Sequence, residues 1–338
     1  MRLADLPTPA LVLDADALEA NLAAMAAACP GSRLRPHVKA HKCTALAAEQ
    51  VRHGHRSFTC ATPREAAGLA AAGVGDDLLV ANEVLDVARL RTLADAVERH
   101  GVRITVAVDS AETVAAAAAA GLGDVLVDVN VGLRRCGCPP EQAGRLADRA
   151  RSAGLTVRGV MGDEGHLMGV VARSERAAQL EACVTALVAA HVLVGGDVVS
   201  TGGTGTYDLH DDRVTEVQAG SYALMDTHYA RLGLPFAQAL FVVGTVISVS
   251  GRWAVADVGL KALGMDHGDP SVDGADVWFC SDEHVTFAPT AGGAAWRAGD
   301  RVRVVPAHCD PTVAMHERVH LVRGDEVLDT WPVDLRGW

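Results

Sequence analysis

From Arg33 to about Tyr222, short runs of Val, Leu, Ile and Ala alternate with longer segments of helical period. The runs are Leu34–Lys39, Ser57–Ala61, Asp77–Ala81, Ile104–Asp109, Val125–Val131, Val157–Met161, Val198–Gly202 and Val214–Ala219. Most are nearly continuous in apolar residues, the pattern of strands buried on both faces. Before the first run, Leu18, Leu22, Met25 and Cys29 mark one face of a helix, and Asp16 with Glu19 gives its start the look of a capping box. Val87, Leu90, Ala94 and Val97 mark another helix, ended by Gly101 as a C′ glycine. Eight strands with intervening helices predict an α/β fold of the (β/α)8 TIM-like barrel type, with an open doubly wound sheet as the rival. After about Pro235 the texture changes. Val242–Ser250, Trp253–Val258, Val277–Cys280, Val302–Val305, Val319–Val322 and Val327–Trp331 read as strands joined by short polar turns, a C-terminal antiparallel β domain. The expected division is a barrel over 14–235 and a β domain over 236–338, to which residues 1–13 add a strand.

A barrel carries its chemistry at the C-terminal ends of its strands. Strand one ends in Arg35-Pro36-His37-Val38-Lys39-Ala40-His41-Lys42, which sets Lys39 between two histidines. Burial and cationic neighbours lower an ammonium pKa and free the amine to attack a carbonyl, as in a Schiff base with pyridoxal phosphate. A basic surface turn is the competing reading. Strand seven runs into Ser200-Thr201-Gly202-Gly203-Thr204-Gly205-Thr206. Its glycines let backbone amides approach a phosphate, its threonines add donors, and barrels commonly bind phosphate after strands seven and eight. It is neither a Walker loop nor a dinucleotide fingerprint. Arg135, after strand five, is a candidate donor to a cofactor ring oxygen or a substrate carboxylate. Asp163-Glu164-Gly165-His166 ends strand six, and Glu216-Val217-Gln218-Ala219-Gly220-Ser221-Tyr222 lies on strand eight. In the β domain, His308-Cys309-Asp310 offers a nitrogen and a carboxylate oxygen, a hard and incomplete cation site. An ordinary turn is the bland alternative.

Charge narrows the partners. With 30 Lys plus Arg against 42 Asp plus Glu, the net charge of −12 argues against nucleic acid or an anionic membrane. A small anionic ligand at a local basic site stays open. The eight cysteines are scattered and not arrayed as a disulfide framework, and Cys136-Gly137-Cys138 stands alone. Residues 1–14 lack the pattern of a signal peptide, and no apolar run is long enough to span a bilayer, Ala115–Ala120 being short and alanine-only. A reducing cytoplasm is the expected location.

Taken together these motifs resemble the D-threonine aldolase family, related to D-serine dehydratases and sharing a fold type with alanine racemase. The resemblance runs over nearly the whole chain: Thr8-Pro9-Ala10, the Arg35–Lys42 segment, Arg135-Cys136-Gly137, Gly165-His166, Gly202–Thr206, Gln218–Tyr222 and His308-Cys309-Asp310-Pro311-Thr312. It implies pyridoxal 5'-phosphate on Lys39, with His37, Arg135, Thr201, Gly202, Gly203, Thr204, Gly205, Thr206, Gln218, Gly220, Ser221 and Tyr222 around it. It implies a divalent metal on His308 and Asp310. The dehydratase branch typically has a cysteine where Asp310 stands and uses zinc, so Asp310 tilts the reading toward the aldolase branch and toward manganese or magnesium. The activity implied is cleavage of a D-3-hydroxy amino acid, D-threonine-like, to glycine and an aldehyde, with His166 as the proton-transfer candidate. A D-serine or D-3-hydroxy amino acid dehydratase with the same site is the alternative, and a homodimer is implied. Two positions depart from the family pattern: Asp163 stands where relatives often carry Tyr, and Ala314 where they often carry Asn.

Overall fold

In the computed structural model, which describes residues 1–290 and 295–338, the chain divides into two compact units. One comprises residues 25–39, 46–220 and 335–338; the other comprises 1–24, 40–45 and 221–334. Apart from the short segments 40–45 and 335–338, the units divide at 24/25 and 220/221; the sequence pattern places the divisions at 13/14 and 235/236.

Strands are numbered along the chain, and β1 (Ala10–Asp14) opens the unit that also holds 221–334. The other unit is built on β2 (Ser57–Cys60), β3 (Asp77–Val80), β4 (Arg103–Val108), β5 (Asp124–Asp128), β6 (Thr156–Met161), β7 (Val198–Thr201) and β8 (Glu216–Val217), parallel neighbours in chain order. The segment read as the first barrel strand is not a regular strand. Leu34 and His37 make only isolated bridges, to Val217 and Thr59, and Val38–Ala40 forms a 3-10 turn. The cause is Pro36, whose missing N–H interrupts the ladder toward β2. The segment still closes the ring. The Arg35 and His37 amides donate to the Val217 and Ala219 carbonyls, and Pro36 O accepts from the Thr59 amide. The result is a TIM-like barrel.

Alternation along each strand sorts its side chains. Leu79, Ala107, Leu126 and Met161 form one small buried cluster. Their neighbours Leu78, Val80, Val106, Val108, Val125, Val127 and Val160 join the larger core with the helices. The helix Arg173–Val194 adds Leu180, Cys183, Val184, Leu187, Ala190 and Val194 to its buried face. By length and composition it would also suffice to cross a membrane, which the sequence reading had overlooked. Gly101 ends the helix Val87–His100 in the left-handed region, as expected. The helix Ala15–Ala28 is capped differently from expectation: Asp14 Oδ1 accepts from the Asp16 and Ala17 amides, while Asp16 pairs with Arg323.

The end of the barrel where the strands begin is held by charge. Arg35 Nε donates to Glu216 at 2.8 Å and its guanidinium also reaches Asp77 at 3.2 Å. Arg158 grips Asp77 from the other side at 2.7 and 2.9 Å. Arg35 is therefore structural, although it adjoins the lysine motif. Burial opposes ionisation of Asp77, but the hydrogen bonds from Arg158 and the charge of Arg35 outweigh it and hold its carboxyl below the usual range. A depressed carboxyl contributes stability that is present above its ordinary pKa and is lost as pH falls through the lowered one. Asp77→Asn should cost about 3–5 kcal/mol at neutral pH, the cost of leaving buried charge uncompensated. Thermal unfolding should show that deficit shrinking on acidification. A deficit independent of pH would assign it to packing.

The second unit contains β9 (Leu240–Ser250), β10 (Trp253–Ala256), β11 (Ser271–Val272), β12 (Ala275–Cys280), β13 (Val285–Pro289), β14 (Arg301–Val305), β15 (Arg318–Arg323) and β16 (Glu326–Pro332). Among the described residues, β9, β10, β13, β12, β11 and β14 pair in that order, and β14 returns to β9, giving a closed antiparallel barrel. Closure removes the exposed edges. The N-terminal segment does supply a strand: β1 pairs antiparallel to β9 and parallel to β15. Strands β11 and β13 escaped the sequence pattern, the first because two residues carry no periodicity.

Candidate active site

Lys39 sits in the 3-10 turn that ends the closing segment of the α/β barrel. Its amide donates to His37 Nδ1 at 3.4 Å, and His37 is itself buried by its bridge to β2. The lysine is partly exposed, at the end of the ring where β7 delivers the glycine loop. Gly220 crosses close by: a Cβ there would lie 2.4 Å from the His37 carbonyl oxygen, so the backbone passes where only glycine fits. Gln218 is buried, and its side-chain amide donates to Ser200 Oγ at 2.8 Å. Ser221 and Tyr222 belong to the other unit. They lie in a 3-10 turn, where Tyr222 is buried with Phe236, ring centroids 5.7 Å apart.

The loop Thr201–Thr206 is organised by a residue the sequence reading did not single out. Glu164 is buried, and four groups converge on its carboxylate. The Thr201 hydroxyl donates to it, the Gly202 amide reaches Oε2 at 3.1 Å, and the Thr206 hydroxyl reaches Oε1 at 2.9 Å. His210 Nε2 lies 3.2 Å from Oε1. Burial opposes the charge, yet the bonds from His210, Thr201 and Gly202 hold this carboxyl below the ordinary glutamate range. Two of the three threonine hydroxyls expected to face a phosphate, those of Thr201 and Thr206, thus face Glu164. The Gly203 amide donates to Thr206 Oγ1 and the Gly205 amide to Met168 Sδ. Thr204 is buried. Gly202 has φ +99°, and a Cβ would come within 2.7 Å of Val217, so the turn itself requires glycine. No motif flags Glu164 or His210; only the fold brings residues 46 apart together.

His166 lies in the 3-10 helix Gly165–Gly169 with its imidazole exposed, Nε2 4.0 Å from Cys183 Sγ. Gly132 passes close beneath it, where a Cβ would be 3.1 Å from Cε1. Arg135 donates to Asp163 Oδ2 at 2.6 Å, and Asp163 also accepts from the Gly165 amide. The residue that departs from the family pattern is therefore the one that engages Arg135. Together with Asp128, Asn130 and Cys136 they line a small pocket.

The β unit holds the cation candidates. His308 precedes the short helix Cys309–Met315, and Asp310 lies in its first turn. His308 Nε2 and Asp310 Oδ1 are 4.0 Å apart. Adjacent ligands about 2.0–2.2 Å from one ion lie roughly 3–3.5 Å apart, so the pair would close by about half an ångström around a cation. His308 Nδ1 is bound by Asp266, at 3.0 Å to Oδ1 and 2.8 Å to Oδ2. His267 stacks on His308 with centroids 3.9 Å apart, and His228 lies 4.4 Å from His267. Asp266 and His267 were missed by sequence reasoning. The glycine-flanked Asp-His pair in Gly264–Gly268 was the signal available. Ala314 lies in the same short helix as Asp310, and its small side chain makes none of the polar contacts found there.

Comparison with known proteins now bears on this geometry. The alanine racemase N-terminal domain family matches residues 13–228, and a putative serine dehydratase domain matches residues 239–322. The D-threonine aldolase of Arthrobacter sp is 35% identical over 99% of this chain and 94% of its own length. This chain belongs to the D-threonine aldolase/D-serine dehydratase-like family. A 3-hydroxy-D-aspartate aldolase of Paracoccus denitrificans (strain Pd 1222) is 34% identical over 98% of the chain and 93% of its own length. The crystal structure of the D-threonine aldolase from Filomicrobium marinum superposes with a TM-score of 0.93 at 35% identity, covering 100% of this chain and 97% of that one.

Proposed function

We propose that the protein is a pyridoxal phosphate- and divalent metal-dependent lyase that cleaves a D-3-hydroxy amino acid to glycine and an aldehyde. The observation that carries the reading is the His308/Asp310 pair, an imidazole and a carboxylate oxygen spanning 4.0 Å, in a chain with full-length similarity to named D-amino acid aldolases. A carboxylate in that pair suits manganese or magnesium better than zinc.

Lys39 offers the amine that would anchor the cofactor, and Arg135 and Gln218 offer polar contacts to its ring. The loop after β7 lies at the same end of the barrel, but its Gly202, Gly203, Gly205 and Thr206 amides already donate within the protein, so a phosphate there would require the loop to release some of them. His308 and Asp310 would hold the cation. Pyridoxal phosphate supplies the electron sink for the carbanion left when the Cα–Cβ bond breaks, and the cation a Lewis acid for the β-hydroxyl. The protein's own part is to anchor, orient and move protons. Lys39 would hold the cofactor through its amine and would yield it to the amine of the substrate. His166 would pass a proton to or from the substrate through its exposed imidazole. Glu164 keeps the loop in shape from below. A homodimer in the cytoplasm is the expected setting.

Product identification from a panel of D-3-hydroxy amino acids, with and without manganese, tests the proposal. Glycine and an aldehyde in equal amounts, lost on chelation, are expected. Ammonia and a 2-oxo acid would replace the aldolase reading by the dehydratase one, and turnover unchanged by chelation would overturn both.

A further inference from the structure

We propose that Asp266 is a positioning residue for the cation: it accepts the Nδ1 proton of His308 and so presents Nε2 to the ion. This rests on the reading that His308 and Asp310 hold that ion. A neutral imidazole has one N–H and one lone pair, and the hydrogen bond made at one nitrogen decides which nitrogen is left to bind metal. An ionised carboxylate only accepts. With both Asp266 oxygens within 3.0 Å of Nδ1, the proton belongs there, and the lone pair is left on Nε2, the nitrogen 4.0 Å from Asp310 Oδ1.

The chain is built to deliver Asp266 to this place. Gly264 forms an antiparallel bridge with His308, whose amide donates to the Gly264 carbonyl at 3.2 Å. The Gly264 amide donates to Thr312 Oγ1 at 2.8 Å, and that hydroxyl donates to the His308 carbonyl at 2.7 Å. A Cβ at residue 264 would lie 2.3 Å from Pro311 Cγ and 2.9 Å from His308 O, so the two segments touch through backbone. Two residues further on, the carboxylate meets the ring edge. His267, stacked within 13° of parallel, covers the ring face and restrains its plane. The same trio, Asp266, His267 and His308, also has ligand atoms within 4.8 Å of one another, so a chelating cluster is the competing arrangement. The direct bonds from Nδ1 to both Asp266 oxygens favour positioning.

Manganese affinity of the cofactor-loaded protein, measured by competition with a fluorescent chelator, separates the arrangements. Asp266→Ala should weaken manganese binding about 10–100-fold, the range for loss of a partner behind a metal-binding histidine, with the cofactor's visible absorbance unchanged. Asp266→Asn should lose less, because the amide oxygen still accepts from Nδ1–H. His267→Ala should lose less than Asp266→Ala, because stacking restrains the ring but does not choose its tautomer. Parental affinity in Asp266→Ala would overturn the proposal. A loss in His267→Ala as large as in Asp266→Ala would show that the trio itself chelates, which also overturns it. His308→Ala separates the proposal from its premise. Undiminished manganese binding there removes the premise, whereas loss in His308→Ala beside parental affinity in Asp266→Ala removes the positioning role alone.

Discussion

Lys39→Ala is expected to lack the visible absorbance of a lysine-linked cofactor and to lose at least three orders of magnitude in turnover. The argument runs from position to chemistry. Pro36 breaks the ladder of the closing segment, so the chain leaves the ring in a 3-10 turn. The turn brings Lys39 to the end of the barrel from which the Gly202–Thr206 loop also departs. Covalent anchoring converts a bimolecular encounter of cofactor and enzyme into a preformed contact, and an amine that re-forms the link after each cycle cannot be replaced by water. A thousandfold loss corresponds to about 4 kcal/mol of transition-state stabilisation. Borohydride reduction of the parental protein, followed by peptide mapping, should find the modification at Lys39. Lys42→Ala should keep both absorbance and trapping. An unchanged band in Lys39→Ala, with trapping at Lys42, would refute the assignment.

Much of this was legible along the chain, and the reason is periodicity. Strands β2 to β7 are short, apolar runs buried on two faces, and such runs announce themselves without context. The closing segment was misread as a regular strand because an apolar run with one proline reads like a strand, while a missing N–H matters only when a neighbour must accept from it. Strand β11 has two residues, too few for any period, and exists because β12 and β14 flank it. Among the candidate site residues, Lys39, the glycine loop and His308/Asp310 stand out along the chain because each is a local motif. The partners that hold them do not. Glu164 meets Thr206 and His210 only after β6 and β7 pair, and Asp266 meets His308 only through the Gly264 bridge. Motifs report candidate groups; the groups that hold them in place are fixed by tertiary contact and carry ordinary local sequence. Asp163 marks the boundary between the two. Its departure from the family pattern was plain in the sequence, but its bond to Arg135 was not.

Removal of the Glu164 carboxylate should therefore act on the Thr201–Thr206 loop, and through it on cofactor binding, rather than on chemistry directly. The carboxylate accepts from the Thr201 and Thr206 hydroxyls, the Gly202 amide and His210, so one group ties both ends of a six-residue turn to the strand beside it. Glu164→Ala leaves the hydroxyls, an amide and an imidazole without their acceptor in a dry site, and breaking a buried charged network typically costs about 3–5 kcal/mol. Glu164→Gln keeps the shape and one acceptor oxygen but turns a second acceptor into a donor facing donors. It is expected to fold, to melt at lower temperature, and to bind pyridoxal phosphate about tenfold more weakly by fluorescence titration, with kcat of the saturated enzyme much less affected. The pH dependence has a sign. Glu164 has a depressed carboxyl, so its contribution is present above the ordinary glutamate pKa and disappears as pH falls through the lowered one. Parental cofactor affinity should thus decline toward that of Glu164→Gln on acidification, and the two should converge. Equal affinities at neutral pH would mean that the loop holds its shape without the carboxylate. A fall in kcat at saturating cofactor would instead place Glu164 among the groups that touch the reaction.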